Sequence, residues 1–238
     1  MLRRTWMLAA AGLPWGGPVW ALPPRTLQFP RDFGSHPELR TEWWYVTGQA
    51  QTQTPTASGR TFGFQVTFFR SRVEATQGMR SGFAAKQLVL AHAALTDLEG
   101  RTLLHDQRMA RAAAGIASAS VADTDVHLRN WSLVRQDGRY LARIPADGFT
   151  LDLQFTPTQP VLLQGRQGLS RKGPEPAQAS YYYSVPQLSA QGRITLQGRS
   201  LDVRGTAWLD HEASDALLHP QAVGWDWIGM NLEDGSAL

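Results

Sequence analysis

The chain has 238 residues, of which 42% are hydrophobic, so it is long enough to bury a sizeable core, and disorder is excluded. Its formal net charge of only +3 argues against a nucleic-acid partner. The absence of cysteine excludes disulfides, thiol nucleophiles and thiolate metal sites.

Residues 1–21 are predicted to be an export signal. Arg3 and Arg4 precede a weakly apolar run, and Val19-Trp20-Ala21 provides a plausible cleavage site. Both the general secretory route and the twin-arginine route fit this pattern. Proline and glycine interrupt the apolar run, so we expect no stable membrane anchor. The sequence therefore predicts a periplasmic or secreted protein.

Beyond residue 21 the sequence has the pattern of an all-β protein. Short segments rich in Val, Phe, Tyr, Leu and Thr are separated by turn residues, and no long stretch has a helical period. So many meandering strands favour a barrel or a sandwich. Asp137-Gly138 and Gln197-Gly198 are typical hairpin turns. Residues 110–122 fit a short helix or a loop, and residues 169–179 fit a loop. Strands are predicted at residues 62–68, 88–92, 101–105, 126–135, 139–145, 148–156, 180–185, 192–197, 200–209 and 223–232.

Motifs for nucleotides, nucleophilic serines and metals are not found in the sequence. There is neither a phosphate-binding loop nor a dinucleotide fingerprint, and we expect no cofactor. Lys172 interrupts the nearest candidate for a nucleophile elbow, which disfavours an α/β serine hydrolase. His92, His105 and His127 lack the spacing of metal ligands, so no metal site is predicted.

Five of the six tryptophans beyond residue 21 lie in two blocks, at residues 36–48 and 208–229, which also carry carboxylates and histidines. Two interpretations are open for these blocks. Aromatic rings beside ionisable groups can form the wall of an apolar ligand pocket that holds an acid. Paired aromatic residues in β-proteins are, however, more often core residues that close a barrel.

The alternation of side chains along a strand divides the second block. Asp210 and Glu212 should share one face, with His211 on the other, so Asp210 and His211 cannot form a simple dyad. Asp226 falls among apolar residues on its own predicted strand, and burial there would raise its pKa.

The same alternation divides the first block and the run Tyr181-Tyr182-Tyr183. Glu42 should share a face with Trp44, opposite Trp43 and Tyr45, and Tyr182 should point away from its two neighbours. For the carboxylates, hydrogen bonds to loops or an ion pair with Arg40 fit as well as catalysis.

Several segments together closely resemble one known family. They are Phe29-Pro30-Arg31-Asp32, the block from His36 to Gly48, Ser170-Arg171-Lys172-Gly173, Ala179-Ser180-Tyr181-Tyr182-Tyr183-Ser184, Trp208-Leu209-Asp210-His211-Glu212 and Gly224-Trp225-Asp226-Trp227. The family is the AttH-like, carotenoid 1,2-hydratase (hydroxyneurosporene synthase) family of exported lipocalin-like proteins. The resemblance covers nearly the whole chain beyond the export signal. It implies an all-β protein built from lipocalin-like (calycin) antiparallel β-barrels.

The resemblance also implies a domain organisation. Residues 22–212 would form the N-terminal barrel, and residues 213–238 would form the first part of a second barrel that is truncated at Leu238. Two departures occur near this boundary: Ala213 stands where the family usually has tryptophan, and Asp215 replaces the second member of a serine pair.

The implied activity is the acid-catalysed hydration, or another conversion, of an apolar polyene or lipid-like substrate in a barrel pocket without a cofactor. Asp210 would be the acid, His211 and Glu212 would support it, and the alternation adds Asp226 as a second acid. The implied ligand-binding residues are Glu42, Trp43, Trp44, Tyr45, Tyr182, Trp225 and Trp227. The alternative is a non-catalytic periplasmic carrier of apolar ligands that serves an envelope transport system.

Overall fold

The computed structural model describes residues 22–53, 59–216, 219 and 221–238, so the predicted export signal lies outside the described residues. These residues form β-strands and two short 3-10 helices, at Arg31–Phe33 and Glu74–Thr76. Within them, no helix has the length and apolar character that crossing a membrane requires. The strands are β1 (Thr41–Thr52), β2 (Thr61–Arg72), β3 (Gln87–Asp97), β4 (Thr102–Arg111), β5 (Ala117–Ala119), β6 (Asp125–Leu128), β7 (Trp131–Gln136), β8 (Arg139–Pro145), β9 (Phe149–Thr156), β10 (Leu162–Leu163), β11 (Leu169–Arg171), β12 (Ala179–Leu196) and β13 (Arg199–Ser214).

The strands form one antiparallel sheet that curls into a nearly closed barrel. Eleven strands follow the order β4-β3-β2-β1-β13-β12-β9-β8-β7-β6-β5, and β10 and β11 pair with β12. Side-chain bonds help to span the remaining gap, since Arg108 in β4 donates to Asn130 and to the carbonyl oxygen of Pro145. The predicted all-β class and antiparallel barrel are confirmed.

The interior of this barrel is packed with side chains. Inward-facing residues alternate with outward-facing ones along each strand, as the pleat requires. A small cavity of about 10 Å³ lies beside His36 and His211, and such a volume accommodates roughly one water molecule. Within the described residues, this cavity is far too small for a polyene. The buried interior side chains include Trp44, Val46, Phe62, Phe64, Phe68, Trp131, Leu133, Tyr140, Ile144, Leu151, Phe155 and Leu209.

The turn signals in the sequence were reliable. Asp137-Gly138 connects β7 to β8 and Gln197-Gly198 connects β12 to β13, with positive φ at all four residues, as a tight hairpin turn requires. The single strand predicted at 126–135 is wrong, because the chain reverses at Arg129, whose φ is +57°, and forms the hairpin β6–β7.

Three other segments differ from the expected elements. Residues 110–122 were expected to form a short helix or a loop, but Ala117–Ala119 within them forms β5 by pairing with β6. The predicted loop at 169–179 contains the short strand β11. No strand forms at 223–232, where the described backbone has only an isolated bridge between Asn231 and Ala237. An apolar alternating segment without a neighbouring strand has no partner for its backbone hydrogen bonds.

Gly48 marks a close approach of β1 to β13. A Cβ atom at this position would overlap the backbone carbonyl of Thr206 and lie 2.7 Å from the Phe64 ring. We expect Gly48→Ala to lower the free energy of unfolding by about 1–3 kcal/mol through overpacking, measured by urea denaturation. Gly63→Ala in β2 is the matched control, because its added Cβ would meet only the Thr96 side chain at 3.6 Å. Equal losses in the two variants would contradict this expectation.

Candidate functional site

Three adjacent strands, β1, β13 and β12, carry most of the candidate residues, and their alternation divides these residues between two faces. Trp43, Tyr45, Tyr182, Asp210 and Glu212 lie on the outer face of the sheet, whereas Glu42, Trp44 and His211 lie in the barrel interior. The expected separation of Asp210 from His211 is therefore observed. The candidates form two distinct sites rather than one pocket.

The first site, the outer cluster, consists of Tyr45, Tyr182, Ser184, Trp208, Asp210 and Trp227. Its centre is Asp210, whose residue surface is only 2% exposed. Ser184 Oγ donates a hydrogen bond to Asp210 Oδ1 at 2.5 Å, and Trp208 Nε1 donates to the same oxygen at 2.7 Å.

The pKa of Asp210 is raised above its ordinary value. Burial is the largest cause, since removal from water disfavours the carboxylate, and the charge of Glu212 acts in the same direction. Hydrogen bonds from Ser184 and Trp208 oppose this shift without cancelling it. Asp210 therefore keeps its proton to a higher pH than an exposed aspartate does.

Aromatic rings surround this carboxyl group. The Trp227 ring centroid lies 6.3 Å from that of Trp208 and 5.5 Å from that of Tyr45, both edge-to-face. Trp227 Nε1 also donates to the Tyr182 hydroxyl at 3.3 Å. Burial raises the pKa of both tyrosines, and the nearby Asp210 charge adds to the shift. The phenols thus remain neutral over the physiological range.

A bulge in β12 helps to position Trp227. The pairing of β12 with β13 shifts between Val185 and Leu188, and the freed backbone N–H of Gln187 donates to Asn231 Oδ1 at 2.9 Å. Asn231 Nδ2 in turn donates to the carbonyl oxygen of Ala207 in β13 at 3.1 Å. These bonds hold the segment that follows Trp227 against the outer face of the sheet.

Glu212 is chemically different from Asp210, although the two share a face. Lys172 Nζ lies 2.7 Å from Glu212 Oε1, and the Ser180 hydroxyl donates to the same oxygen. Lys172 also lies 4.7 Å from the centre of the Tyr182 ring. Glu212 is therefore the anionic member of an ion pair at the edge of the outer cluster.

Three of the sequence-based candidates lie apart from both sites. Trp43 lies on the outer face, with its ring centroid 6.3 Å from that of Phe69. Trp225 is 69% exposed, and Asp226 is exposed rather than buried as expected. The prediction for Asp226 assumed a strand with an apolar inner face, and this strand does not form.

The second site, the inner network, consists of Asp32, His36, Glu42, Arg70, Tyr183 and His211. His36 lies between two carboxylates, with Nδ1 2.7 Å from Glu42 Oε1 and Nε2 2.8 Å from Asp32 Oδ1. The pKa of each of these carboxyl groups is lowered despite its burial, so both are ionised and can only accept hydrogen bonds, and both ring nitrogens of His36 donate. His36 is therefore an imidazolium cation in the folded protein.

Glu42 is fully buried and accepts hydrogen bonds from several donors. The backbone N–H of His36 donates to both carboxylate oxygens, and Arg70 Nε donates to Oε2 at 2.8 Å. Burial alone would raise the pKa of Glu42, but hydrogen bonds from His211 and His36 outweigh it and hold the pKa far below its ordinary value. Arg70 also donates to the carbonyl oxygens of His36 and Leu39, both at 2.9 Å.

His211 completes the network in its neutral form. Its Nε2 lies 2.9 Å from Glu42 Oε1, and its Nδ1 lies 2.9 Å from the Tyr183 hydroxyl, which can donate to it. Burial lowers the pKa of His211 despite the opposing effect of Glu42. Trp44 stacks on this ring with centroids 4.6 Å apart.

His36, Glu42 and His211 bring three potential metal-ligating atoms within 4.8 Å of one another. Their hydrogen bonds and charges do not fit a metal ion well. Arg70 and the His36 cation already balance the charges of Asp32 and Glu42, so no net negative charge remains to attract a cation. We interpret these residues as a structural network held together by hydrogen bonds and ion pairs.

The His36 cation should make the stability of the protein fall at high pH. Burial would lower the pKa of His36, but Glu42 and Asp32 outweigh it and raise the pKa. A raised pKa gives stability that is complete below the unfolded value of about 6.5 and is lost as pH rises through the folded value. We expect the stability difference between wild type and His36→Gln, measured by urea denaturation, to shrink over that range.

A suitable control is His127→Gln, because the side chains of His127 and its neighbour Asp125 are about half exposed, at 45% and 49%. Its stability difference from wild type should be small throughout. A difference for His36→Gln that stays constant from neutral to alkaline pH would show that His36 is not charged.

Sequence reasoning missed most of the inner network. Arg70 had a usable signal, because it continues the alternating apolar row Phe62, Phe64, Val66, Phe68 and is the only charged member of that row. The roles of Asp32 and His36 had no such signal, since they depend on how the segment before β1 folds over the end of the barrel.

A larger concavity lies elsewhere on the protein. An open groove of about 960 Å³ follows the outer face of β7, β8, β9, β12 and β13 and is lined by polar side chains such as Arg143, Asp152, Gln154 and Arg193. It contains none of the candidate residues. Its size alone therefore does not make it the functional site.

The fold and the outer cluster together define the class of protein: a lipocalin-like β-barrel with a buried acid on its outer face. More particularly, the chain belongs to the AttH-like family, whose model matches residues 20–238. Membership of the AttH-like family, expected from the sequence, is thereby confirmed. The comparison with curated proteins gave no significant match.

Two of the solved structures that match this chain share its fold over most of its length. An AttH-type protein of Nitrosomonas europaea shares 49% identity with a TM-score of 0.82, over 91% of this chain and 64% of that one. Kievitone hydratase from Nectria haematococca shares 13% identity with a TM-score of 0.60, over 81% of this chain and 53% of that one. The second likeness shows the fold alone. The present chain thus spans less than two thirds of the length of either structure.

Proposed function

We propose that this protein adds water to a carbon–carbon double bond of an apolar polyene or lipid-like substrate, with Asp210 as the acid. The observation that carries the proposal is a buried carboxyl group of raised pKa surrounded by indole and phenol rings. The substrate would bind at the outer cluster rather than in the barrel interior, which is packed. This location replaces the internal barrel pocket expected from the sequence.

The chemistry requires few groups. The O–H bond of Asp210 breaks as its proton forms a C–H bond with the less substituted alkene carbon, leaving a carbocation on the other carbon. Trp208, Trp227 and Tyr45 present π systems that stabilise this cation. Water then attacks the cation, and the proton it releases returns to the Asp210 carboxylate. The balance is alkene plus water giving alcohol.

Comparison with related proteins supports this choice of reaction. The motifs around Asp210 resemble those of carotenoid 1,2-hydratases, and the fold is shared with an enzyme named kievitone hydratase. Fold alone does not fix a substrate, so the substrate class rests on the apolar character of the outer cluster. We also propose that residues 1–21 direct export to the periplasm or medium by either route.

The test is to incubate the purified protein with an acyclic carotenoid in deuterated water. We expect a product heavier by one molecule of D₂O, with one deuterium bound to carbon, because the proton comes from an exchangeable acid. Saturable binding of the polyene without any product would instead support the carrier that serves an envelope transport system. If the protein neither converts nor binds apolar ligands, both proposed functions are refuted.

A further inference from the structure

A row of apolar side chains crosses the outer face of β1 to β4. Strand register places Trp43 beside Phe69, Phe69 beside Leu90, and Leu90 beside Met109. All four point outward, because their immediate neighbours along each strand are the more buried, inward-facing residues. With strands about 4.8 Å apart, the row extends for about 14 Å.

Every member of this row is at least partly exposed to solvent. Met109 is 63% exposed and Phe69 is 37% exposed, while Trp43 and Leu90 are half-buried. Contiguous exposed apolar surface of this kind marks an interaction site more often than chance.

The loop between β2 and β3, residues 73–86, extends the same apolar surface. Phe83 in this loop is 82% exposed and Met79 is 51% exposed. The guanidinium of Arg111, which follows Met109 by two residues on the same face of β4, lies 5.5 Å from the Phe83 ring centre. The loop therefore lies next to the Met109 end of the row.

Positive charge surrounds this apolar surface. Residues 71–90 contain Arg72, Arg80 and Lys86 against Glu74, a net charge of three minus one, or +2. Arg72 pairs with Glu74 at 2.8 Å, whereas Arg80 and Lys86 are exposed and have no ion-pair partner within the described residues. Arg111 adds a third cation at the edge.

We propose that this surface docks reversibly on an anionic lipid membrane. Phe83, Met79 and Met109 would enter the interface between headgroups and acyl chains, while Arg80, Lys86 and Arg111 contact lipid phosphates. Exposed rings and thioethers rimmed by cations are the combination that peripheral membrane binding requires. The unpaired cations favour an anionic lipid over a neutral apolar partner.

Docking through this surface would bring the outer cluster close to the membrane. Trp43, at the other end of the row, is paired in register with Glu212 of β13, and Tyr45 is paired with Asp210. An apolar substrate dissolved in the membrane would thus be close to the outer cluster. The docking itself does not depend on the proposed hydration, and it can be tested without turnover.

The experiment is co-sedimentation of the full chain with phosphatidylcholine vesicles, with and without phosphatidylglycerol. We expect binding to require the anionic lipid and to weaken with salt. The double variant Arg80→Gln, Lys86→Gln should weaken binding by about tenfold or more at low salt. Phe83→Ser with Met109→Ser should weaken it by about tenfold through lost apolar burial. Residues 1–21 are common to every variant, so comparisons between variants isolate the surface.

Leu103→Ser is the matched control. Leu103 is 61% exposed on the same face of β4, six residues from Met109, or about 20 Å along the strand. It should bind vesicles as wild type does, and all variants should keep the wild-type melting temperature. Failure of the wild type to bind anionic vesicles would overturn the proposal. Equal binding by Leu103→Ser and by the Phe83→Ser, Met109→Ser double variant would also overturn it. If the surface variants changed only the self-association of the protein, the surface would be a protein interface and the proposal would be wrong.

Discussion

Asp210→Asn should lower the rate of hydration by about 10²–10⁴-fold, the usual contribution of a positioned acid. The amide retains an oxygen that can accept hydrogen bonds from Ser184 and Trp208, so the variant should fold. The wild-type rate should fall as pH rises through the raised pKa of Asp210, because only the protonated acid can transfer a proton. The residual rate of the variant should lack this dependence, as measured by product formation across a pH series.

Stability gives a second readout for the same residue. A carboxyl group whose folded pKa is raised contributes stability at low pH that is lost as pH rises through the folded value. The asparagine variant should therefore become more stable relative to wild type as pH rises. Asp202→Asn is the matched control, because Asp202 lies on the same outer face of β13 as Asp210 but is exposed. Full turnover by Asp210→Asn would remove Asp210 from the mechanism.

Arg70→Met should destabilise the protein by about 3–5 kcal/mol, as expected when one partner of a buried ion pair is removed. The methionine fills much of the same volume but leaves Glu42, which is fully buried, without its arginine. It also leaves the carbonyl oxygens of His36 and Leu39 without the donors that Arg70 supplies. Such a loss is large against a typical total of about 5–15 kcal/mol, and urea denaturation would measure it.

Arg193→Met provides the comparison on the surface. Arg193 lies 3.5 Å from Asp152, and both side chains are more than half exposed, at 61% and 55%. Exposed pairs contribute only about 0–1 kcal/mol, so this variant should be nearly neutral. If the two arginine variants lost similar amounts of stability, the inner network would not be the structural element inferred here.

The alternation of apolar and polar residues predicted most of the longer barrel strands and the division of the candidate residues between two faces. Asp210 and His211 were expected on opposite faces and are found there. Tyr182 was expected to oppose its neighbours and does so, because a pleated strand leaves no other choice. These predictions succeeded because they depend on local geometry alone.

Predictions that needed non-local contacts fared less well. Residues 223–232 have the pattern of a strand, but within the described structure no neighbouring strand pairs with them along their length. The expected burial of Asp226 failed for the same reason. Trp227, by contrast, packs against Tyr45 and Trp208 beside Asp210. The bond from Gln187 at the bulge to Asn231 helps to hold it there, and this contact joins residues that are far apart in sequence.

The sequence by itself determined the all-β class, the family and the face on which the candidate side chains of β1, β12 and β13 lie. The family follows from the resemblance of its motifs, whereas the class and the facing of side chains follow from turn chemistry and the period of two, which act between residues close together in the chain. Only the tertiary structure decided that the barrel interior is packed, that Asp210 is buried among aromatic rings outside it, and that His36 is a cation between Asp32 and Glu42. Burial and charge depend on neighbours brought from other strands, and it is these neighbours that set each pKa and locate the proposed acid.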